Sequence, residues 1–270
     1  MKAGLRVVLT GAAGGIGSAV AHALAPRSQA MLLVGRDAGR LATLAAELGR
    51  ASPEVDVRTV PADLNTAQGR AAVLAAAEAL PGGANLLVNN AGVGQLAWFE
   101  DQDEDQIARI MQTNVLAPML LVRALLPLLH RQTDARIVNV GSILGDIGHP
   151  GSVAYCASKF ALRGFTEALR RELAGSRVRV QYLAPRATLT PLNSAAQVAL
   201  NAELGVASDA PEVVARALLD LLDGTRGERH LGWPERLFVR INRMLPSLVD
   251  SSLLKQLPVI RRHAQKGVIK

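Results

Sequence analysis

Aromatic residues are scarce in this sequence: Phe, Trp and Tyr make up 3% of 270 residues. Hydrophobic residues reach 49%, so a core is affordable, but Ala, Leu and Val must fill it. There is one cysteine, Cys156, which excludes an internal disulfide framework. No run of about 18 uncharged apolar residues occurs, which argues against a membrane-spanning helix. The longest candidate, 119–129, is interrupted by Arg123 and Pro127. The opening MKAGLRVVLTG leads straight into a strand and lacks a cleavage region, so no signal peptide is expected. These absences suit a reducing cytoplasm. There is no Ser/Gly-rich linker before residue 185, no internal repeat, no low-complexity segment and no expected metal site. Acidic residues run short only near the end: from Gly224 to Lys270 there are ten Lys or Arg against three Asp or Glu, the whole of the net +7. A basic tail of this kind suits an anionic partner. It lacks the interleaved aromatics of a nucleic-acid binder, which is not expected.

Apolar runs and helical spacings alternate along the chain. Strands are predicted over 5–11, 30–35, 54–64, 85–92, 135–142 and 177–185, with a short last one over 227–232. Between them lie helices from about Ile16, over 37–48, 67–80, 103–131 and 152–174. The helix over 103–131 is expected to bend at Pro118 and Pro127. Such alternation indicates right-handed βαβ units and a parallel sheet covered on both faces. The expected architecture is one Rossmann-type doubly wound α/β domain of about seven strands over 1–232, with a C-terminal helical tail over 233–270. A helix after residue 208 is expected to be capped by Ser208 or Asp209, with Pro211 in its first turn. The tail is expected to break at Pro246 and Pro258.

Two short stretches carry chemistry. Tyr155 and Lys159 are four apart, which on a helix puts them on one face. A nearby ammonium lowers the phenol pKa and makes the pair a general acid/base. Ser142, just after the strand end 137–140, places a hydroxyl for the same substrate oxygen. The same Y-x-x-x-K spacing also fits an ordinary aromatic beside a solvated lysine. The second stretch is TGAAGGIG, 10–17, in the first βα turn. Gly11, Gly15 and Gly17 let the backbone approach a pyrophosphate at a helix N-terminus. At the end of the second strand stand Gly35, Arg36 and Asp37, where a carboxylate would bind the ribose of NAD. Arg36 suits a 2′-phosphate, so NADP(H) is favoured over NAD(H). The alternative is a solvated Arg36 and an Asp37 that caps the next helix.

With Ala62-Asp63, NNAG at 89–92, Asn114, Ser142 and YCASK at 155–159 in this order, the sequence resembles the short-chain dehydrogenase/reductase family, its compact single-domain branch, from about Leu5 to Thr190. The resemblance implies hydride transfer between nicotinamide and a carbonyl or alcohol. Tyr155 would be the general acid or base, Lys159 would hold the nicotinamide ribose and lower the tyrosine pKa, and Ser142 would orient the substrate. Asn114 would hold a water linking Lys159 to solvent. It also implies a cofactor site of Gly11, Ala13, Gly14, Gly15, Ile16 and Gly17, then Asp63 and Leu64 at the adenine. Asn89, Asn90, Ala91 and Gly92 would follow, lining the ribose and bracing the sheet, and Pro185, Thr188 and Thr190 near the nicotinamide. Two positions depart from the pattern. Arg186 stands where the family has glycine, either reading an anionic substrate group or solvated. Gly14 cannot supply the basic residue that NADP-using relatives often carry there. The resemblance further implies a homodimer or homotetramer formed through the helices at 103–131 and 152–174.

The substrate lid, about 186–205, is mostly apolar: Leu189, Leu192, Val198, Leu200 and Leu204. It suits a hydrophobic carbonyl or alcohol (fatty acyl, steroid-like or terpenoid), or equally these leucines pack the lid onto the body. On a helical wheel of 233–245, Leu237, Phe238, Ile241, Met244 and Leu245 share one face, and Arg236, Arg240 and Arg243 another. That pattern suits an anionic membrane surface, such as the inner face of a membrane, or a helix docked on protein. A non-catalytic dinucleotide-binding regulator of the same fold is the alternative to an enzyme.

Overall fold

Seven strands pair into one sheet. The computed structural model describes residues 4–266, so Met1–Ala3 and the last four residues of the basic tail lie outside it. The strands are β1 (Leu5–Thr10), β2 (Ser28–Gly35), β3 (Asp56–Pro61), β4 (Leu86–Asn89), β5 (Ala135–Val140), β6 (Val178–Ala184) and β7 (Glu228–His230). They lie in the order β3-β2-β1-β4-β5-β6-β7, every neighbouring pair parallel. β4 and β5 are buried throughout, as strands sandwiched between helices must be. One face is covered by α1 (Gly15–Leu24), α2 (Ala38–Ala51) and α8 (Pro211–Asp223), through Val20, Leu41, Leu44 and Leu218. The other is covered by α3 (Ala67–Glu78), α5 (Ala117–His130) and α6 (Val153–Glu172), through Val73, Leu121, Leu125 and Leu169. The strand order reverses direction between β1 and β4. At such a switch point a crevice opens beyond the carboxyl ends of the strands.

The helix expected over 103–131 is interrupted, but not where its prolines suggest. α4 (Glu104–Met111) runs into a π-helical turn, Gln112–Leu116, before α5 begins. Pro118 lies in the first turn of α5, where its missing N–H is harmless. Pro127 lies inside α5. The wide turn falls at Asn114 instead, and such turns occur mostly at functional sites. Glu104–His130 has the length and hydropathy of a bilayer span, yet Leu121, Val122, Leu125 and Leu129 pack into the sheet-facing core.

The expected cap of α8 is corrected as well. Its N-cap is Ala210, with no side-chain cap, and Pro211 opens the helix. Asp209 is drawn away by Arg186, 2.7 Å from its carboxylate. In the tail, the chain breaks at Pro246, between α9 (Glu235–Met244) and α10 (Pro246–Lys266), but Pro258 lies within α10. α10 folds back over the lid helix α7 (Ala195–Glu203): Ile260 and Ala264 pack with Leu96 and Leu200. Glu203 receives His263 at 2.7 Å and pairs with Arg262. α9 is anchored by Val239, packed with Ile147 and Val249. Arg243, expected to share one face with Arg236 and Arg240, is turned onto Asp146.

Candidate active site

The crevice begins at the glycine-rich turn. Gly11 has φ +62°, and a Cβ there would lie 2.9 Å from Ala91 Cα. A Cβ on Gly17 would lie 2.1 Å from the Gly11 carbonyl oxygen. Neither position admits a side chain. Gly14 donates its N–H to Gly11 O at 3.1 Å and stands as the N-cap of α1, with no side chain over the helix end. The first-turn amides of Gly15, Ile16 and Gly17 lack intrahelical partners, and amides so placed receive phosphate. Thr10 Oγ1 accepts from the N–H of Asn90 at 3.0 Å and of Ala91 at 3.1 Å. Asn90 Nδ2 donates to the carbonyls of Thr10 and Gly11. The loop of Asn90, Ala91 and Gly92 is thereby laced to the phosphate turn. Asn89, expected both to line the ribose and to brace the sheet, is buried, donates to Asn139 at 2.8 Å and borders the small cleft beside Ala91.

At the far rim Arg36 is exposed. Asp37 caps α2, accepting from Arg40 N at 3.0 Å. A second guanidinium, not singled out from sequence, joins Arg36 here: Arg40 Nη2 donates to Ala13 O at 2.7 Å. Arg36 precedes the Asp37 cap and Arg40 falls in the first turn of α2, so nearness in sequence was the available signal. Arg40 thus brings a guanidinium from α2 beside the phosphate turn. Asp63 accepts from Asn65 N at 3.0 Å, and Leu64 lines a small cleft with Ala91, Thr113 and Asn114.

The polar cluster lies at the carboxyl ends of β4 and β5. Lys159 is buried; its Nζ donates to Val140 O at 3.1 Å and stands 5.6 Å from the Tyr155 ring centroid. Ser142 Oγ accepts from Leu144 N at 3.1 Å, and its hydroxyl lies near enough to Tyr155 to act on the phenol. Burial pushes the phenol up to about 12, and the Ser142 hydroxyl pulls against it. Burial brings Lys159 down to about 8. The expectation that Lys159 lowers the phenol pKa is therefore corrected: desolvation dominates and holds Tyr155 protonated. Asn114, on the π turn, is a clamp. Its Oδ1 accepts from Val93 N, and its Nδ2 donates to Val93 O and Ser158 Oγ, at 2.8, 2.8 and 2.9 Å. Both donors are committed. A Cβ on Gly92 would fall 3.3 Å from Asn114 Oδ1 and 3.6 Å from Lys159 Nζ.

Tyr182, read from sequence only as part of a strand, supports the serine from below. Its hydroxyl bonds the Ser142 backbone N and O, each at 3.4 Å. A Cβ on Gly141 would lie 2.0 Å from that hydroxyl oxygen. Gly141→Ala is expected to force the buried ring aside, costing about 1–3 kcal/mol as overpacking does and tilting Ser142. Calorimetry and turnover on one preparation check this; wild-type melting would show that the ring yields freely.

The remaining walls come from after β6. Pro185 O accepts from Ile143 N at 2.9 Å. Thr188 Oγ1 donates to Arg186 O at 2.9 Å. Thr190 lies over the phosphate turn, its Cγ2 2.8 Å from where a Cβ on Gly15 would stand. Arg186 is neither solvated nor free for a substrate anion: it pairs with Asp209 at 2.7 Å and Glu235 at 3.2 Å, tying lid to tail. Together body, lid and tail enclose a cavity of about 530 Å³. Ser142, Tyr155 and Ile16 line it, with Leu192 and Leu204 of the lid and Phe238, Ile241 and Leu248 of the tail. Its volume is that of a small-molecule site.

A doubly wound sheet with a phosphate turn at its switch point and a Ser-Tyr-Lys cluster at its mouth defines a class of nicotinamide-dinucleotide oxidoreductase. Residues 6–200 match the family model for short chain dehydrogenase, and the chain belongs to the short-chain dehydrogenase/reductase family. It is 32% identical over 255 residues to dehydrogenase/reductase SDR family member 7B of Bos taurus, covering 90% of this chain and 78% of that one. It resembles a short chain dehydrogenase/reductase from Burkholderia phymatum in complex with NAD, with TM-score 0.80 and 27% identity over 91% of this chain and 95% of that one. A short chain dehydrogenase from Burkholderia cenocepacia J2315 in complex with NADP gives TM-score 0.79 and 25% identity, over 94% and 99%. The chain is an oxidoreductase acting on CH–OH or C=O groups, and its phosphate turn and rim fit a nicotinamide dinucleotide.

Proposed function

We propose that this oxidoreductase interconverts a hydrophobic ketone or aldehyde and its alcohol with NADP(H), and that Tyr155 carries the proton. The observation behind the reading is the pair of hydroxyls, Ser142 and Tyr155, lining a cavity walled by Leu192, Phe238 and Leu248. When bound, the cofactor supplies or takes up the hydride. Tyr155, kept protonated by burial, donates to the carbonyl oxygen. The Ser142 oxygen is already held by Leu144 N, which leaves its own O–H to orient the same atom. Lys159 places a cation behind the ring as negative charge develops on the phenol. Fatty acyl, steroid-like and terpenoid carbonyls match the cavity's character. Subunit pairing through α4–α6 accompanies this reading, supported by exposed Met111, Leu116, Met119 and Phe160 there, and so does a cytoplasmic location.

The choice of NADP(H) rests on Arg36 and Arg40 flanking the rim. Arg36→Asp is expected to lower the NADPH-to-NADH ratio of kcat/KM by about 10–100-fold, the loss of one charge-assisted contact of about 1.5–3 kcal/mol. Initial rates with both cofactors measure it. A wild-type enzyme that prefers NADH, with a ratio that the substitution leaves unmoved, would remove the assignment.

A further inference from the structure

We propose that the elbow between α9 and α10 docks on an anionic lipid bilayer, so that the cavity receives its carbonyl substrate directly from the membrane. The second half of this statement rests on the proposed function; the docking itself does not.

The elbow is a projecting apolar tip. Met244 is 80% exposed, Leu245 56% and Leu248 58%. Among the described residues nothing covers these side chains. Its neighbours Val239 and Val249 are buried and anchor the elbow to Ile147, so the tip is presented rather than loose. Phe238 and Leu248 are exposed and line the cavity, so the cavity opens beside the tip.

The charge around it has one predominant sign. Arg236, Arg240 and Lys255 are exposed and have no ion-pair partner among the described residues. Of the tail's nearby acids, Glu235 is taken by Arg186, which leaves Asp250. Apolar side chains flanked by unpaired cations suit the boundary between anionic headgroups and hydrocarbon. A second copy suits it less well. A two-fold contact centred on the elbow would bring both sets of unpaired cations together, while a different apolar face, on α4–α6, is available for subunit pairing.

The test is flotation of the full chain with phosphatidylcholine vesicles, with and without phosphatidylglycerol. The intact protein is expected to float with the anionic vesicles and to be released as salt is raised. Met244→Asp combined with Leu245→Asp is expected to lower the partition coefficient more than about tenfold. Arg236→Glu combined with Arg240→Glu is expected to lower it comparably on anionic vesicles only. Both variants should keep the wild-type melting midpoint and oligomer size, which separates lost docking from lost folding. The proposal is overturned if the intact chain stays in the aqueous fraction, or if the apolar double variant floats like wild type. It is equally overturned if that variant splits a larger assembly while vesicle binding is unchanged, which would make the elbow a contact between copies.

Discussion

Tyr155→Phe is expected to lower kcat by about 10²–10⁴-fold, the usual share of a general acid, or about 3–5 kcal/mol of barrier. Dinucleotide binding should persist, because the phosphate turn, the Asn90 lacing and the Arg36–Arg40 rim do not involve the phenol. The lost interaction is one that strengthens only as the carbonyl oxygen takes its proton. kcat and kcat/KM should therefore fall together, with KM little changed. Folding should not suffer: the substitution removes a hydroxyl that is costly to desolvate, and leaves Ser142 still bonded to Leu144. Fluorescence titration with NADPH alongside steady-state rates separates binding from turnover. Full activity in the variant would end the assignment of Tyr155 as proton carrier.

Asp146→Asn carries the largest expected loss of stability. The Asp146 side chain is fully buried and receives His230 at 2.8 Å, Arg243 at 2.6 Å and Arg163 at 3.0 Å, while its backbone carbonyl accepts from Asn242 at 2.8 Å. Burial pushes this carboxyl up, but His230, Arg243 and Arg163 outweigh it and hold the group below its ordinary value. Removing the anion leaves two guanidinium groups facing one another with their counter-charge gone. Breaking a buried pair costs about 3–5 kcal/mol. The arginines are partly exposed, so solvent screening argues for the lower end. At about 2–4 °C per kcal/mol for a chain of this size, melting should fall by roughly 6–12 °C. The sign with pH follows from the depressed pKa. The stabilisation is complete above the unfolded carboxyl value of about 3.9, and is lost as pH falls through the lower folded value. Wild type and variant should thus differ across neutral pH and converge in acid. Equal melting at pH 7 would show that the anion is dispensable. Because Asp146 closes the turn that begins at Ser142, the variant should also bind substrate more weakly through a loosened α9.

The sheet was legible because each of its early strands is a short apolar run bounded by turn residues, and because the spacing of Leu41, Leu44 and Leu48 admits only a helix. The Ser142, Tyr155 and Lys159 cluster was legible for a related reason: its members sit on a strand end and a helix turn, whose geometry sequence spacing fixes. What escaped depends on residues far apart in the chain. Asp146 meets partners 84 and 97 positions away, and Arg186 reaches Glu235 across 49, so neither pairing leaves a local pattern. The same competition misplaced the α8 cap, since Asp209 binds a distant guanidinium in preference to its own helix. The π turn at Asn114 was hidden by Pro118 and Pro127, which draw more notice although the break falls at neither. The direction of the Tyr155 shift was missed because spacing reports a neighbouring charge and says nothing of burial.

On the proposed mechanism the groups that handle the proton all precede Thr190, whereas much of the cavity wall is contributed by the lid and the last two helices. The reaction and its diet are therefore written in separable stretches of gene. On that reading, substitutions in the terminal segments would change which compounds fit while leaving the proton-handling groups upstream untouched.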